Sequence, residues 1–469
     1  MRSIHRARAR VAVVDSFSVR ILRFSGRSAA CLCLVRPSSS SAPSSAPSPS
    51  SHIAGDLDLS HPLSERHLHE IKRFSDLPEG FGVNQHIPID NHLKEHLRGT
   101  LWKFKAPIRY AFAYGSGVFS QGTSAQTAQK PQIDLIFGVS HVQHWHSLNI
   151  TQYPEHYSAL RRLGSAAVAR VQELGAGVYF NPYVELNGLV IKYGVISIER
   201  LTQDLLSWDT LYVSGRLHKP VKILRDDPRV RLANQRNLFS VLRTALLLLP
   251  ETFTEHELYS TIASISYTGD PRMQVGAENP QKVTNIVTNQ IQHFHRLYAP
   301  LIDTLPNLQL SGAYDNISLS SDFISLKQDM DPVRRGNMVA RLPTSFKQRL
   351  YDRYAKILSV DPSKYSTPVE SAATEANPGY NHPSSKILPR LVGTEFDRMI
   401  AARADLPQEV SRAIIDTVKW PAAVQSAKGI ATAGLSKGFK YLGEKFAKRR
   451  AAAAAAAERS EEKPSDKSS

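Results

Sequence analysis

Cysteine is nearly absent from this 469-residue sequence, because its two copies, Cys31 and Cys33, both lie within the first 36 positions. If that segment is removed on maturation, the remaining chain can form no disulfide, zinc–thiolate site or cysteine nucleophile. Long apolar runs are missing as well. No stretch reaches the roughly 18 uncharged apolar residues that a membrane-spanning helix needs, and the run at 238–249 is interrupted by Arg243. We therefore predict no transmembrane helix.

Net charge is scarce in the central part of the chain. The formal net charge is +16, but residues 1–36 and 419–450 each carry seven of those charges, which leaves two for the remainder. A nucleic-acid-binding protein is expected to carry a basic stripe on its folded body. The distribution therefore predicts no nucleic-acid partner, and the two basic ends indicate targeting and contact with an anionic membrane surface.

Composition alone assigns the ends and the linkers. Residues 1–36 are rich in Arg and hydroxyl residues and poor in acids, which is typical of a mitochondrial transit peptide. Residues 37–60 are predicted to be a disordered linker, because their run of Ser, Pro and Ala cannot form a core. Residues 359–386, rich in Pro, Ser and Asn, are predicted to be a second linker. Residues 451–469 are predicted to be a disordered tail.

The remaining sequence predicts two domains and a helical C-terminal region. Residues 61–235 mix strands and helices, with strands expected at 108–114 and 133–139 and a helix at 157–174. Asn187-Gly188 between two alternating runs predicts a β-hairpin. Residues 236–358 read as a helical domain that could include a small β-wing, and residues 387–450 return to helical patterning. The predicted fold class is therefore α/β followed by helices.

A turn of small residues follows the first predicted strand. Gly115, Ser116 and Gly117 form it, and Asp134 lies on the next strand. Backbone N–H groups in such a turn can approach a phosphate closely, and an aspartate nearby can hold Mg²⁺ against a triphosphate. The pattern indicates a nucleotide site with Asp134 as its catalytic, metal-binding acid. The alternative is a structural turn beside an acid at a strand end.

A triphosphate also requires cations. The candidates in the first domain are Lys192, Arg216, Lys219 and Lys222. Lys192 and Lys222 lie on predicted strands, which hold a charge in place better than loops do. Each of these residues could instead be a solvated surface cation. Asp204, in the helix after the hairpin, is either a second metal ligand or a structural partner.

The turn and the following strand resemble the pattern of the nucleotidyltransferase superfamily. In that pattern a Gly-Gly or Gly-Ser turn precedes a strand that carries an acid, a hydrophobic residue and a second acid. Gly115-Ser116 and Asp134 match, whereas Ile136 stands at the second acid position and the insertion at 120–132 is unusually long. Both departures argue against a standard two-metal site.

A series of ordered blocks resembles a narrower family. The blocks include AYGSGVFSQ (113–121), QIDLIFGV (132–139), GAGVYFNPYV (175–184), LYVSGRLHKPVKIL (211–224) and NPQKVTNIV (279–287). They are similar to the mitochondrial translocator assembly and maintenance family, whose members are mitochondrial CDP-diacylglycerol synthases. The resemblance implies a nucleotidyltransferase-fold domain joined to a winged-helix-like domain. It also implies CTP and phosphatidic acid as substrates and Mg²⁺ as cofactor. The implied location is the matrix side of the mitochondrial inner membrane, where the product CDP-diacylglycerol would feed cardiolipin and phosphatidylglycerol synthesis.

Phosphatidic acid stays in the bilayer, so an enzyme without a membrane span must dock on the lipid surface. Residues 420–450 combine an apolar stripe that begins at Val424 with many basic residues, including Lys428, which is typical of an interfacial helix. The predicted membrane-binding residues are Trp420, Lys437, Phe439, Lys440, Leu442 and Phe446. The alternative is a helix packed on the catalytic domain.

Two other functions stay open at this point. A nucleotidyltransferase that acts on RNA would show salt-sensitive RNA binding. A non-enzymatic assembly factor for inner-membrane translocators would not need Asp134.

Overall fold

A computed structural model of the chain describes residues 68, 70–119, 132–274, 281–311, 325–367 and 392–433. The strands are β1 (Tyr110–Tyr114), β2 (Ile133–Val139), β3 (Tyr179–Leu186), β4 (Leu189–Ser197), β5 (Lys222–Arg225), β6 (Thr252–Thr254), β7 (Leu308–Ser311) and β8 (Ser325–Gln328). The α-helices are α1 (Asn91–Trp102), α2 (Val142–Gln152), α3 (Gly164–Glu173), α4 (Ile198–Ser207), α5 (Ser214–Leu217), α6 (Pro228–Leu248), α7 (Glu255–Ile265), α8 (Pro271–Gln274), α9 (Lys282–Ile302), α10 (Pro332–Ala340), α11 (Thr344–Leu358), α12 (Glu395–Ala401) and α13 (Leu406–Ala433).

The larger sheet has five strands in the order β3-β4-β2-β1-β5. β1 runs antiparallel to β2 and β5, β3 runs antiparallel to β4, and β2 and β4 are parallel. The parallel pair needs a long connection, which α2, α3 and β3 provide. Apolar side chains cover both faces, with Ala113 and Leu135 on one face and Phe112 and Ile136 on the other. The fold is thus a mixed α/β architecture, as the sequence predicts.

Two strand predictions are confirmed closely. β2 has the predicted limits, and β1 begins two residues later than expected. The hairpin is also present: Leu186 pairs with Leu189, and the two residues between them have positive φ angles, 54° at Asn187 and 71° at Gly188. Two positive φ angles define a type I′ turn, whose twist matches that of the flanking strands.

The predicted helix at 157–174 is shorter than expected. A 3₁₀ turn, Ala159–Leu163, precedes α3, and Gly164, the residue at which α3 begins, has φ +86°. The interior of an α-helix requires negative φ angles, so the 3₁₀ turn and α3 cannot merge. The pattern of apolar residues continues across Gly164, which explains the error.

The second half of the described chain is mainly helical. Its core is α6, whose first turn is capped by Asp227 accepting hydrogen bonds from Arg229 and Val230. A small antiparallel sheet of order β6-β8-β7 lies beside these helices. α6 crosses the predicted boundary between residues 235 and 236, and the division into two domains stays a prediction.

The C-terminal helix α13 packs along the body of the protein. A Cβ added at Gly269 would lie 2.7 Å from Ile415 Cα, and one added at Gly175 would lie 2.8 Å from Val424 Cγ1. Gln425 donates a hydrogen bond to Val178 O at 3.2 Å. The first part of the predicted interfacial helix therefore packs on the protein, which is the alternative that the sequence left open.

The position of Lys428 differs from the prediction for the interfacial helix. Its ammonium group is buried and donates hydrogen bonds to Gln172 O at 2.9 Å and Leu174 O at 2.6 Å. The prediction that it contributes exposed positive charge is wrong. Trp420, in contrast, is 72% exposed.

Several predictions concern residues outside the described ranges. These are the transit peptide 1–36, the linker 37–60, most of the linker 359–386, the tail 451–469, and the membrane-binding residues Lys437, Phe439, Lys440, Leu442 and Phe446. Among the described helices, none combines the length and apolarity that crossing a bilayer requires.

Candidate active site

The register of the larger sheet brings an acid and a cation together. Tyr114 of β1 pairs with Asp134 of β2, which pairs with Lys192 of β4. Directly opposed residues in neighbouring strands share a face of the sheet. Lys192 Nζ lies 3.6 Å from Asp134 Oδ1, and the two side chains are 19% and 31% exposed. A ligand in solvent can therefore reach both groups.

The turn after β1 requires its glycines. Gly115 has φ +83°, and a Cβ there would lie 3.4 Å from Asp134 Oδ2. A Cβ at Gly117 would lie 2.8 Å from Gln132 O, closer than real Cβ contacts allow. The N–H groups of Val118 and Phe119 both donate to Gly115 O at 3.0 Å. Within the described ranges, the N–H groups of Ser116 and Gly117 have no backbone acceptor, so these two are the groups that the turn can offer to a phosphate.

Arg216 is linked to this face through aromatic residues. Its guanidinium lies 3.9 Å from the Tyr212 ring centre, and Nε donates to Tyr114 Oη at 3.3 Å. A second guanidinium nitrogen donates to Tyr212 O. Burial, followed by the charge of Asp134, raises the pKa of Tyr114, so this hydroxyl stays protonated. Tyr114 thus lies between the acid and the guanidinium.

Lys219 follows closely in the chain and reaches the segment after α7. Its ammonium group donates to Gly215 O and to Ser266 Oγ, both at 2.6 Å, and lies 4.9 Å from the Tyr267 ring centre. Burial and the positive charges of Arg216 and Lys282 hold the pKa of Lys219 well below its usual value. The helical half of the protein therefore contributes directly to the surroundings of this predicted phosphate ligand.

Lys222 lies on the other face of the sheet. It pairs with Ala113, whose neighbour on β2 is Leu135, so its side chain points away from the face of Asp134. Its ammonium group donates to Ile87 O at 2.8 Å. Burial and nearby cations, of which Lys94 contributes most, lower its pKa. The structure thus separates Lys222 from Asp134, contrary to the prediction of a shared phosphate site.

Asp204 is buried, and its carboxylate is fully engaged. Oδ1 accepts hydrogen bonds from the N–H and hydroxyl of Thr210 and from the N–H of Leu211, at 2.7 to 3.1 Å. Oδ2 accepts from the N–H of Val213 and from the N–H and hydroxyl of Ser214, at 3.0 to 3.1 Å. This bonding orders the loop that leads into α5. It favours the structural role and argues against the predicted metal-ligand role.

The fit to Mg²⁺ rests on Asp134. Across the described part of the chain, no group of three or more His, Cys, Asp or Glu side chains could hold a metal ion. Mg²⁺, however, often takes only one or two protein carboxylates and completes its shell with substrate phosphates and water. A partly exposed aspartate beside a small-residue turn fits an ion that arrives with a nucleotide.

Sequence reasoning does not find several residues of this site. Tyr114 and Tyr212 look like ordinary core aromatics in the sequence. Lys282 lies in the conspicuous block NPQKVTNIV, but no spacing rule places it near Lys219. Its ammonium group lies 5.1 Å from the ring centre of Tyr267, the ring that Lys219 also approaches.

A mixed α/β sheet with an acid, a close-packed small-residue turn and several cations defines a protein suited to binding phosphate groups. The family model described as mitochondrial phosphatidate cytidylyltransferase matches residues 97–448. Because this match covers most of the sequence, the chain belongs to the mitochondrial phosphatidate cytidylyltransferase family. The predicted family resemblance is confirmed.

Relatives from several eukaryotes carry the same name. The protein of Saccharomyces cerevisiae is 46% identical over 233 residues, which cover 49% of this chain and 60% of the relative. The protein of Schizosaccharomyces pombe is 35% identical over 371 residues, covering 78% and 86%. The protein of Xenopus laevis is 38% identical over 366 residues, covering 77% and 96%.

Proposed function

We propose that this protein transfers the cytidylyl group of CTP to phosphatidic acid, forming CDP-diacylglycerol and pyrophosphate. The relatives named above are all called phosphatidate cytidylyltransferases. The structural observation that carries the proposal is the pairing of Asp134 with Lys192 and Tyr114 beside the turn at Gly115. This arrangement offers an acid, a cation and two N–H groups that have no backbone acceptor among the described residues, at one edge of the sheet.

The proposed reaction is an in-line displacement at the α-phosphorus of CTP. A phosphate oxygen of phosphatidic acid forms the new P–O bond, and the bond to the β-phosphate breaks as pyrophosphate leaves. A phosphate monoester has its second pKa near 6, so the attacking group is mostly dianionic at neutral pH and needs little help from a base. A second acid is therefore dispensable, in keeping with Ile136 on β2.

The residues of the site have separate tasks in this mechanism. Asp134 would hold Mg²⁺, which neutralises phosphate charge when bound. Lys192, next to Asp134, and Arg216, next to Tyr114, would offset the negative charge of the substrates. Tyr114 fixes the guanidinium of Arg216 through its hydroxyl. The N–H groups of Ser116 and Gly117 orient a phosphate.

We extend the proposal to the architecture and the location. The order of turn, strand and acid supports a nucleotidyltransferase fold for residues 61–235, and the β6-β8-β7 sheet beside helices supports a winged-helix-like domain at 236–358. The relatives are named mitochondrial. A peripheral position on the matrix side of the inner membrane, where the product would feed cardiolipin synthesis, suits a lipid substrate, and the exposed Trp420 suits contact with that surface.

The test is an assay of the full chain with Mg²⁺, labelled CTP and phosphatidic acid vesicles. We expect CDP-diacylglycerol from the unaltered protein and a loss of about a hundredfold or more with Asp134→Asn, as is usual when a charge-stabilising group is removed. Asp352→Asn is the matched control, because Asp352 interacts with Gln348 on an exposed helix face. If the folded, vesicle-bound protein makes no product, the assembly-factor function replaces this proposal.

A further inference from the structure

Three cations crowd together where the sheet meets the helical half. Arg216 and Lys219 lie at and just after α5, and Lys282 begins α9. The ammonium groups of Lys219 and Lys282 lie 4.9 and 5.1 Å from the centre of the same ring, Tyr267. The charges of Arg216 and Lys282 both act on Lys219. Like charges held close together repel one another.

Arg216 and Lys219 have little negative charge near them. The acceptors of Arg216 are Tyr114 Oη and Tyr212 O, and those of Lys219 are Gly215 O and Ser266 Oγ. Within the residues that the structure describes, no carboxylate lies within 4 Å of a charged nitrogen of Arg216 or Lys219.

Asp270 is the acid closest in sequence to Tyr267, but it has another partner. It accepts hydrogen bonds from Arg272 at 2.6 to 3.1 Å. Arg216 and Lys219 are partly buried. Because a cation withdrawn from water without a counter-charge destabilises a fold, the arrangement points to a ligand as the source of the compensating anion.

Close packing holds these cations in place. A Cβ added at Gly215 would lie 2.5 Å from Ser266 Cβ, so α5 and the segment after α7 are in close contact. The hydroxyl of Ser266 positions the ammonium group of Lys219. A planar guanidinium beside two ammonium groups suits the several oxygens of a phosphate.

We propose that Arg216, Lys219 and Lys282, arranged around Tyr267, form a subsite for a phosphate group with two or more negative charges. The inference rests on the proposed function and adds to it the segment after α7 and the start of α9. The phosphate belongs either to the triphosphate of CTP or to the phosphomonoester of the lipid, because both present the same chemistry.

The first test measures the binding of inorganic pyrophosphate to the full chain by calorimetry, which needs no turnover. Lys282→Gln is expected to weaken binding about tenfold, since one charge-assisted hydrogen bond contributes about 1.5 kcal/mol or more. Lys347→Gln is the matched control. Lys347 also lies over a tyrosine ring, Tyr351, and donates to a carbonyl, that of Ala340, and it should bind pyrophosphate normally. Equal affinities for the two variants would overturn the inference.

Steady-state kinetics distinguish the two sources of the phosphate. A raised KM for CTP in Lys282→Gln assigns the subsite to the nucleotide, and a raised KM for phosphatidic acid assigns it to the lipid. Unchanged kinetics together with unchanged pyrophosphate binding remove the subsite but leave the proposed function intact. If pyrophosphate binding depends on Lys282 but the protein shows no transferase activity, the subsite stands and the proposed function fails.

Lys219→Met separates a binding role from a structural one. If Lys219 is kept for a ligand, this variant loses pyrophosphate affinity, while its melting temperature without ligand is unchanged or higher, because a partly buried charge without a counter-charge is gone. A lower melting temperature with normal affinity would identify Lys219 as a structural residue and exclude it from the subsite.

Discussion

At the scale of single residues, the face of the sheet decides which cation can reach the substrate. Lys192 and Lys222 look equivalent in the sequence, since each lies on a predicted strand of the first predicted domain. The register places Lys192 beside Asp134 and places Lys222 opposite Ala113, on the other face. The two lysines therefore form a natural pair for comparison.

Lys192→Gln should lower kcat/KM for CTP about tenfold or more, because it removes a charge-assisted contact next to the acid. Lys222→Gln should change it by no more than about twofold, because its ammonium group contacts Ile87 O on the opposite face of the sheet, away from Asp134. The comparison is made under the assay conditions of the Asp134→Asn test. A loss in Lys222→Gln as large as that in Lys192→Gln would contradict the assignment of faces.

The residue scale also shows where sequence reasoning stops. Gly115, Gly117 and Asp134 could be identified because a turn and an acid close in sequence form a recognisable pattern. The partners of Asp204 lie six to ten residues downstream in an irregular loop, for which no periodicity exists. Lys219 meets Ser266 across 47 residues, and only the packed structure places them together.

At the scale of elements, α13 differs most from expectation. It continues through Pro421, although proline removes a helical hydrogen bond, and reaches Ala433. Contacts with Gly175, Val178 and the end of α3 hold this part in place. These contacts connect positions about 250 residues apart, so the local pattern of apolar and basic residues could not reveal them.

Because Lys428 is buried by the contacts of α13, the free energy of unfolding should depend on pH in the alkaline range. Burial lowers the pKa of Lys428 from 10.5 to about 8. Between these values the unfolded chain binds more protons than the folded one, so the free energy of unfolding should rise with pH, by up to about 3 kcal/mol. Urea unfolding at pH 7.5 and 10 measures the rise.

Lys428→Met should show a smaller rise, because Lys219 and Lys222 also have lowered pKa values and still contribute to it, whereas Lys419→Met, a change at an exposed position of the same helix, should keep the full rise. If both variants respond to pH as the unaltered protein does, Lys428 is not the group responsible.

At the scale of the whole molecule, stability against acid depends on histidines buried in the neutral form. Burial lowers the pKa of His146 to about 4, and burial followed by the charge of Lys219 lowers that of His218 to about 3. His146 interacts with Tyr157 and Gln172, and His218 with Asn237. The two groups lie in different parts of the fold, so protonation would disturb both halves.

We expect the protein to lose stability as the pH falls from about 6.5 towards 4, because the unfolded chain then takes up protons that the folded chain excludes. Unfolding in urea at pH 7 and 5 should show the loss. His146→Gln should reduce the dependence on pH, and His144→Gln, at an exposed position two residues earlier, should not. The same dependence in both variants would contradict this role of His146.

The fold class and the family could be predicted from the sequence, whereas the order of the strands in the sheet could not. Alternating strands and helices predict the mixed α/β class, and the ordered blocks predict the family. The strand order β3-β4-β2-β1-β5 depends on pairings between distant segments. Local patterns fix the limits of β2 and the hairpin at Asn187, but they contain no information about which strand lies beside which.

The close contact between Gly215 and Ser266 also has a genetic consequence. A mutation of Gly215→Ala would introduce a methyl group 2.5 Å from the Cβ of Ser266, and a screen for suppressors should return Ser266→Gly, which removes that atom. Such a revertant would regain its fold but lose the hydroxyl that holds Lys219. Cells rescued for protein abundance would then still lack full activity, so abundance and activity would recover to different extents.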